Sequence, residues 1–252
     1  MLLRTLPALA LAVVSQAQQA FEVASIKPNS TGDNRVMIRM QPGGRFTATG
    51  VTLRQLISQA YNVRDFQITG GPGWIGAEHY DINAKGPEGM PDRVPPEVLR
   101  PMLRALVEER FQLKTHAETR EMPIYALVVG KAGKLIPAAP ESQGPMMRMG
   151  RGQLNGKKVP MAMLAQQISQ QLGRAVVDKT ELKGDFDFTL EWTPEPGQGP
   201  GVHPPGEPIP AADSSGPTIF TAVQEQLGLR LESQKGPVEI IVIDSVAKPT
   251  EN

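Results

Sequence analysis

Four carboxylates in the second half of the chain are the residues whose types and spacing could support catalysis. They are Asp178, Glu181, Asp185 and Asp187. A pair of carboxylates across a cleft can serve as acid and base in glycoside hydrolysis. However, the alternation that buries Phe186 and Phe188 sends Asp185 and Asp187 together to the wet side of a strand. The pattern favours a solvated strand face, and a hydrolase of an envelope or environmental polymer is kept as the alternative function.

Histidine, serine and cysteine give no signature of catalysis or metal binding. The three histidines, none in a two-histidine helical motif, are His79, His116 and His203. No Gly-x-Ser-x-Gly elbow or Ser-x-x-Lys motif is present, so Ser58 and Ser169 are interpreted as solvent-facing helix positions. The chain contains no cysteine, which excludes disulfides, cysteine nucleophiles and thiolate metal sites. The sequence predicts no metal, no cofactor and no enzymatic activity.

A glycine-rich loop around Trp74 is the best candidate for a binding site. It reads Gly70-Gly-Pro-Gly-Trp-Ile-Gly76, and His79 lies just beyond it. An aromatic side chain with flexible flanks can engage a partner, whereas the alternative is that Trp74 fills the end of its own core. We predict a ligand or partner surface formed by Trp74, His79 and Arg45.

The N-terminus and the charge balance indicate an exported protein without nucleic-acid affinity. An apolar run from Leu6 to Val14 is followed by Ser15-Gln16-Ala17, with small residues at the two positions that a signal peptidase reads. We predict a signal peptide over residues 1–17, cleaved after Ala17; the alternative is a short N-terminal core helix. The run is too short to span a bilayer. Lys plus Arg and Asp plus Glu each number 26, so no net charge favours nucleic acid.

The two halves of the chain contain three matching segments in the same order, which predicts an internal repeat. The first half has Tyr80–Lys85, Glu109–Lys114 and Met122–Val129, and the second has Phe186–Glu191, Glu225–Arg230 and Gly236–Ile243. Each copy reads as β-α-β-β-α-β-β, an α+β unit with two helices on one face of a small sheet. The predicted units are residues 18–137, a linker 138–150, and residues 151–252 with an exposed Pro/Gly-rich loop 194–217.

Local signals predict the helices and the strands that close each unit. Thr52 and Gln55 have the spacing of a capping box, and Gly173 and Gly228 stand where helices should end. Pro101 is expected within the first turn of its helix. Two closing hairpins are predicted, Leu113–Thr119 with Ile124–Val129 and Leu229–Ser233 with Val238–Ile243. The last of these strands is apolar on both faces and should lie centrally in its sheet.

Two patterns in the chain resemble known families. Met161–Val177, Phe186–Glu191 and Gln224–Ser233 form the first pattern. It resembles the short N-terminal domain of secretins and TonB-dependent transducers, in which helices ending in Leu-Gly precede a strand and a closing hairpin. That resemblance implies a shape and not a role.

Six segments along the chain carry the second resemblance. They are Phe21–Pro28, Gly70–Trp74, Tyr80–Ile82, Glu109–Leu113, Gly184–Asp187 and Gln226–Leu229. Together they resemble an uncharacterised family of secreted proteins abundant in soil acidobacteria, a domain of unknown function. Some relatives carry the domain after a membrane metallopeptidase of the antibiotic-sensor type, which implies sensing or ligand binding. This chain has no such peptidase, and the family brings no catalytic residues.

The sequence therefore predicts a secreted or periplasmic, non-enzymatic binding module. Its partner is expected to be a protein or glycan of the cell envelope. Binding could add a strand to a sheet edge or hold a ligand between the repeats. A structural or adhesive exoprotein is a third possibility, and the oligomeric state is not predicted.

Overall fold

A computed structural model describes residues 20–29, 36–91, 94–131, 134–139, 144–194 and 216–249. Its helices are α1 (Leu53–Tyr61), α2 (Trp74–Ala77), α3 (Pro96–Arg110), α4 (Met161–Leu172) and α5 (Ile219–Leu227). The strands of the first half are β1 (Val23–Pro28), β2 (Met37–Gln41), β3 (Arg45–Thr52), β4 (Ile68–Gly70), β5 (His79–Lys85) and β6 (Lys114–Val129). Those of the second half are β7 (Ile136–Pro137), β8 (Met146–Gly150), β9 (Gln153–Pro160), β10 (Val176–Asp178), β11 (Asp185–Glu191) and β12 (Leu229–Ser245). The predicted α+β class is confirmed.

Some predictions fall on residues that the structure does not describe. The signal peptide predicted for residues 1–17 lies outside the described residues, as do His203 and residues 195–215 of the predicted loop 194–217.

The strands form three four-stranded sheets. The first sheet has the order β1-β5-β3-β2, and the third sheet has the order β7-β11-β9-β8; both are antiparallel. The second sheet, which we call the central sheet, has the order β10-β6-β12-β4 and contains strands from both halves of the chain. Each half therefore contributes one whole sheet and two strands of the central one.

The two closing hairpins predicted from the sequence are wrong. β6 and β12 are continuous strands that pair antiparallel with each other, from Leu229 opposite Val129 to Ser245 opposite Lys114. Pro123 and Pro237 lie within these strands, outside the three residues of β6 that pair with β10 and the three residues of β12 that pair with β4. Because each long strand has one neighbour there, a proline can be accommodated with its missing N–H on the open side. β12 lies centrally, as predicted.

Apart from α2 and a 3-10 turn in the first half, the halves have the same order of elements, but two self-contained tandem repeats are not confirmed. β4 of the first half pairs parallel with β12 of the second, and β10 of the second half pairs parallel with β6 of the first. Met146–Gly150, predicted as part of a linker, forms the edge strand β8 beside β9. The two halves are therefore joined by exchanged strand pairing across the central sheet.

Each half also completes the hydrophobic core of the other. The first core contains Ile241 and Ile243 of β12, although its other buried residues come from the first half. The second core contains Leu127 of β6 among residues of the second half. Because these side chains are buried in the other half, the stability of each core depends on the pairing of β6 with β12.

The helix signals predicted the ends of most helices. Thr52 and Gln55 form the capping box of α1, and Gly173 and Gly228 adopt left-handed φ values of 57° and 69° after α4 and α5. Pro101 is an exception, because α3 begins at Pro96 and the proline lies beyond the first turn. The buried residues that follow it, Leu103 and Leu106 among them, hold this part of the helix against the first core. Among the described helices, none has the length and apolar character needed to cross a bilayer.

Candidate functional site

Trp74 lies at the start of the short helix α2 and packs, partly buried, against the first core. The Lys248 ammonium is 5.8 Å from the centre of its ring, within range of a cation–π contact. Lys248 also forms an ion pair with Glu78, whose other oxygen accepts a 3.0 Å hydrogen bond from Tyr80. The hydrogen bond from Lys248 is the main reason that the pKa of the Glu78 carboxyl is lowered. Trp74 thus belongs to a fixed cluster at the rim of the first core.

The structure does not bring Arg45 to Trp74 and His79. His79 opens β5 opposite Thr52, the last residue of β3, whereas Arg45 is the first residue of β3 and lies opposite Lys85. Arg45 and Thr52 are seven residue steps apart along the strand, which corresponds to about 23 Å. The predicted three-residue surface is wrong in this respect, because strand register places Arg45 at the opposite end of the first sheet.

The acidic residues considered for catalysis are divided between two sheets. Asp178 ends β10 in the central sheet, while Asp185 and Asp187 lie on β11 in the third sheet. Asp187 accepts 2.9 Å hydrogen bonds from Lys157 Nζ and from the backbone N–H of Lys158, and these bonds lower the pKa of its carboxyl. The Asp178 carboxylate accepts hydrogen bonds of 2.9 and 2.7 Å from the backbone and hydroxyl of Thr180. Asp178 and Asp187 therefore have structural partners.

The two helix serines have the same structural role in both halves. Ser58 Oγ donates to the carbonyl of Val63 at 2.5 Å, and Ser169 Oγ donates to the carbonyl of Arg174 at 2.9 Å. Ser169 is 6% exposed and Ser58 is partly buried, so the expectation that both face solvent is wrong. Each hydroxyl satisfies a carbonyl just after the end of its helix. Within the described residues, no group of three or more His, Asp or Glu side chains is placed to hold a metal ion.

A cavity of about 630 Å³ lies between the two halves. The first half contributes the residues after α1, including Arg64, Phe66 and Gln67, and the second half contributes one side of α4 and β10. Its apolar lining comprises Phe66, Pro160, Ala162, Met163, Ala165, Ala175, Val176 and Val177. Its volume lies in the range of small-molecule sites, and its lining is mainly apolar with a few polar groups, as such sites commonly are.

A second, smaller cavity of about 390 Å³ adjoins the first at Asn62 and Arg64, which line both. It lies between the C-terminal end of α1 and the start of α3, and Gln170 of α4 closes it from the second half. Its polar lining residues are Ser58, Gln59, Asn62, Arg64, Arg100 and Gln170. We call the two adjoining cavities the inter-half groove.

The groove is positioned by the ends of helices. α1 ends at Asn62, which adopts a left-handed φ of 54° and turns the chain toward Arg64. A 3-10 turn, Asp65–Gln67, follows, and Gln67 anchors it by donating from its side-chain amide to the carbonyl of Glu239 on β12 at 2.8 Å. The first-half wall of the groove is therefore attached to the central strand of the second half.

Sequence reasoning did not find Arg64 and Arg100 as site residues. They are separated by 35 intervening residues and belong to no motif. From the sequence, only the predicted internal repeat pointed to this region, because it suggested that a ligand could be held between the two halves. Their meeting depends on the packing of α1 against α3 and of both against the second half.

The fold and the groove define an α+β protein whose halves share a central sheet and both line an open, two-part groove. The chain belongs to the family of proteins of unknown function DUF3738, whose model matches residues 54–246. This confirms the predicted domain of unknown function. The acidobacterial origin and the likeness to the secretin domain stay predictions. No curated protein and no solved structure matches the chain.

Proposed function

We propose that the protein is a non-enzymatic binding module that holds a small ligand in the inter-half groove. The observation that carries this proposal is that both halves line one groove, with an apolar part and a polar part. Sites of this kind commonly lie where two structural units meet. Binding there would also stabilise the pairing of the halves, because a ligand that contacts both binds only the assembled form.

The alternative function, a hydrolase, requires two carboxylates facing a common cleft. Of the described residues that line the larger cavity, Asp178 is the only carboxylate, and none lines the smaller cavity. Asp178 is already held by Thr180. These contacts support binding over two-carboxylate catalysis in the groove.

Export is part of the proposal, and it rests on the pattern of residues 1–17. We propose that the mature protein begins at Gln18 and acts in the periplasm or outside the cell. The mass of the protein recovered from those fractions tests this, because an uncleaved chain would contradict it.

Filling the larger cavity is expected to abolish ligand retention. Ala162 is an exposed position on α4 that lines the cavity, so Ala162→Trp should occupy the groove without disturbing the core. The mature protein would be incubated with a small-molecule extract of envelope and culture supernatant, repurified, and examined by mass spectrometry. Gln224→Trp on α5, exposed and lining neither cavity, is the matched control. A compound retained equally by both variants would contradict binding in the groove.

A second surface, around Trp74 and His79, is proposed for a protein or glycan partner of the envelope. The partly exposed indole with the Lys248 ammonium beside it offers both apolar and charged contacts. Trp74→Ala is expected to lose a partner that wild-type protein retains in a pull-down from envelope fractions. Circular dichroism must show that the variant is folded, and undiminished retention by the folded variant would exclude this surface.

A further inference from the structure

Two arginines face the polar part of the groove without an ion-pair partner among the described residues. Arg64 and Arg100 are both partly buried, and neither forms a salt bridge or a side-chain hydrogen bond in that part of the chain. Burial lowers the pKa of the Arg64 guanidinium, yet arginine stays charged at neutral pH. A partly desolvated charge without a counter-ion is unfavourable, so an anion bound between these groups would be stabilised.

Two nearby arginines, on α1 and α3, have hydrogen-bond partners within the protein. Arg54 on α1 pairs with Asp65 and donates to the carbonyl of Ile68 at 2.8 Å. Arg104 on α3 donates to the carbonyl of Ala60 at 2.9 Å and lies 4.8 Å from the centre of the Tyr61 ring. Arg64 and Arg100 differ from these two arginines, of which Arg54 holds the segment after α1 and Arg104 holds α3 to the end of α1.

The polar part of the groove can supply further donors to an anion. The side-chain amides of Gln59, Asn62 and Gln170 line it, and no carboxylate does so among the described residues. Beyond Arg64 the lining becomes apolar, with Phe66 and Val177 packed at the edge of a small hydrophobic cluster on the central sheet. A single ligand that spans both parts must therefore have a charged end and an apolar end.

We propose that the inter-half groove binds an amphipathic organic anion. Its carboxylate or phosphate head lies between Arg64 and Arg100, and its apolar body lies along α4 in the larger cavity. Guanidinium groups suit such heads because their planar donors can pair with two oxygens at once. This inference rests on the proposed function and adds the chemical class of the ligand.

Isothermal titration of the mature protein with four eight-carbon probes tests the head group. The probes are octanoate, octyl phosphate, 1-octanol and octyltrimethylammonium, each used below its micelle-forming concentration. Octanoate or octyl phosphate is expected to bind at least about tenfold more tightly than 1-octanol, as a charge-assisted hydrogen bond allows. The cationic probe should bind most weakly. Comparison of the two anions shows which head is preferred.

Variants test whether the two arginines recognise the head. Arg64→Gln and Arg100→Gln are each expected to weaken binding of the better anion by about tenfold to a hundredfold. Arg110→Gln removes one positive charge from the far end of α3, the helix that carries Arg100, and lines neither cavity, so it should leave the affinity unchanged. Affinities for 1-octanol should be the same in all three variants, which separates loss of head recognition from damage to the cavity.

The outcomes distinguish this inference from the proposed function. If 1-octanol binds as tightly as octanoate, or if Arg64→Gln keeps full affinity for the anion, the anionic head is excluded while the groove stays a binding site. If no probe binds but a native compound is retained by wild-type protein and lost in Ala162→Trp, the amphipathic anion is again excluded and the groove function stands. If no probe binds and no compound is retained, both proposals fail.

Discussion

Gly228→Ala is expected to lower the free energy of unfolding by about 2 to 5 kcal/mol, from left-handed strain and overpacking together. Gly228 ends α5 with a φ of 69°, and an added Cβ would lie 2.2 Å from the backbone oxygen of Lys131. Its own carbonyl accepts hydrogen bonds from Gly130 and Lys131 at 2.8 and 2.9 Å. The clash involves backbone, so it cannot be relieved by rotating a side chain.

Gly173→Ala is the matched control for this prediction. Gly173 ends α4 with a similar φ of 57°, but an added Cβ would meet nothing within 4 Å. The free energy of unfolding of this variant should fall only by the cost of placing alanine in the left-handed conformation, about 1 to 2 kcal/mol. Urea unfolding of both variants, followed by circular dichroism, measures the difference. Equal losses would show that the contact with Lys131 does not constrain the turn.

Separating the halves is expected to abolish folding of each. The fragments 18–134 and 135–252 would each lose the partner of a long strand, because β6 and β12 pair along nearly their whole lengths. The first fragment would lack Ile241 and Ile243 from its core, and the second would lack Leu127. Removing one buried Leu or Ile side chain typically costs about 2 to 5 kcal/mol, a large part of a domain's stability.

Circular dichroism and urea unfolding of each fragment, alone and in an equimolar mixture, test this expectation. Each fragment alone should show no cooperative transition, while the mixture should regain the spectrum of the intact chain. Leu127→Ala in the intact protein gives an independent measure of the exchanged packing. A fragment that unfolds cooperatively with the midpoint of the full chain would show that its half is a self-sufficient domain.

The sequence predicted local structure well because the signals for it are local. The capping box of Thr52 and Gln55 and the glycines after α4 and α5 act within one helical turn, so they could be interpreted without knowledge of the fold. The alternation of β11, with Phe186 and Phe188 buried, likewise needs only two-residue periodicity. Pro101 shows the limit, since buried contacts outweigh its local cost.

The candidate site could not be predicted to the same degree. Trp74 was recognised from its loop, and the structure places it at the rim of a core. Arg45 was grouped with it, but strand register moves Arg45 to the far end of the sheet. Arg64 and Arg100 have no sequence signature, because their function in the groove depends on which helices pack together. Register and helix packing are both non-local.

The amino-acid sequence alone was enough to predict the α+β class, the helices with most of their ends, and the similarity of the two halves. The tertiary structure decided that β6 and β12 run straight and pair with each other, that β4 and β10 are exchanged, and that a groove lies between the halves. The physical reason is that a segment with a mid-strand proline is compatible with both a hairpin and one long strand. Which one forms depends on the cores that the partner strand completes, and that partner lies a hundred or more residues away in the chain.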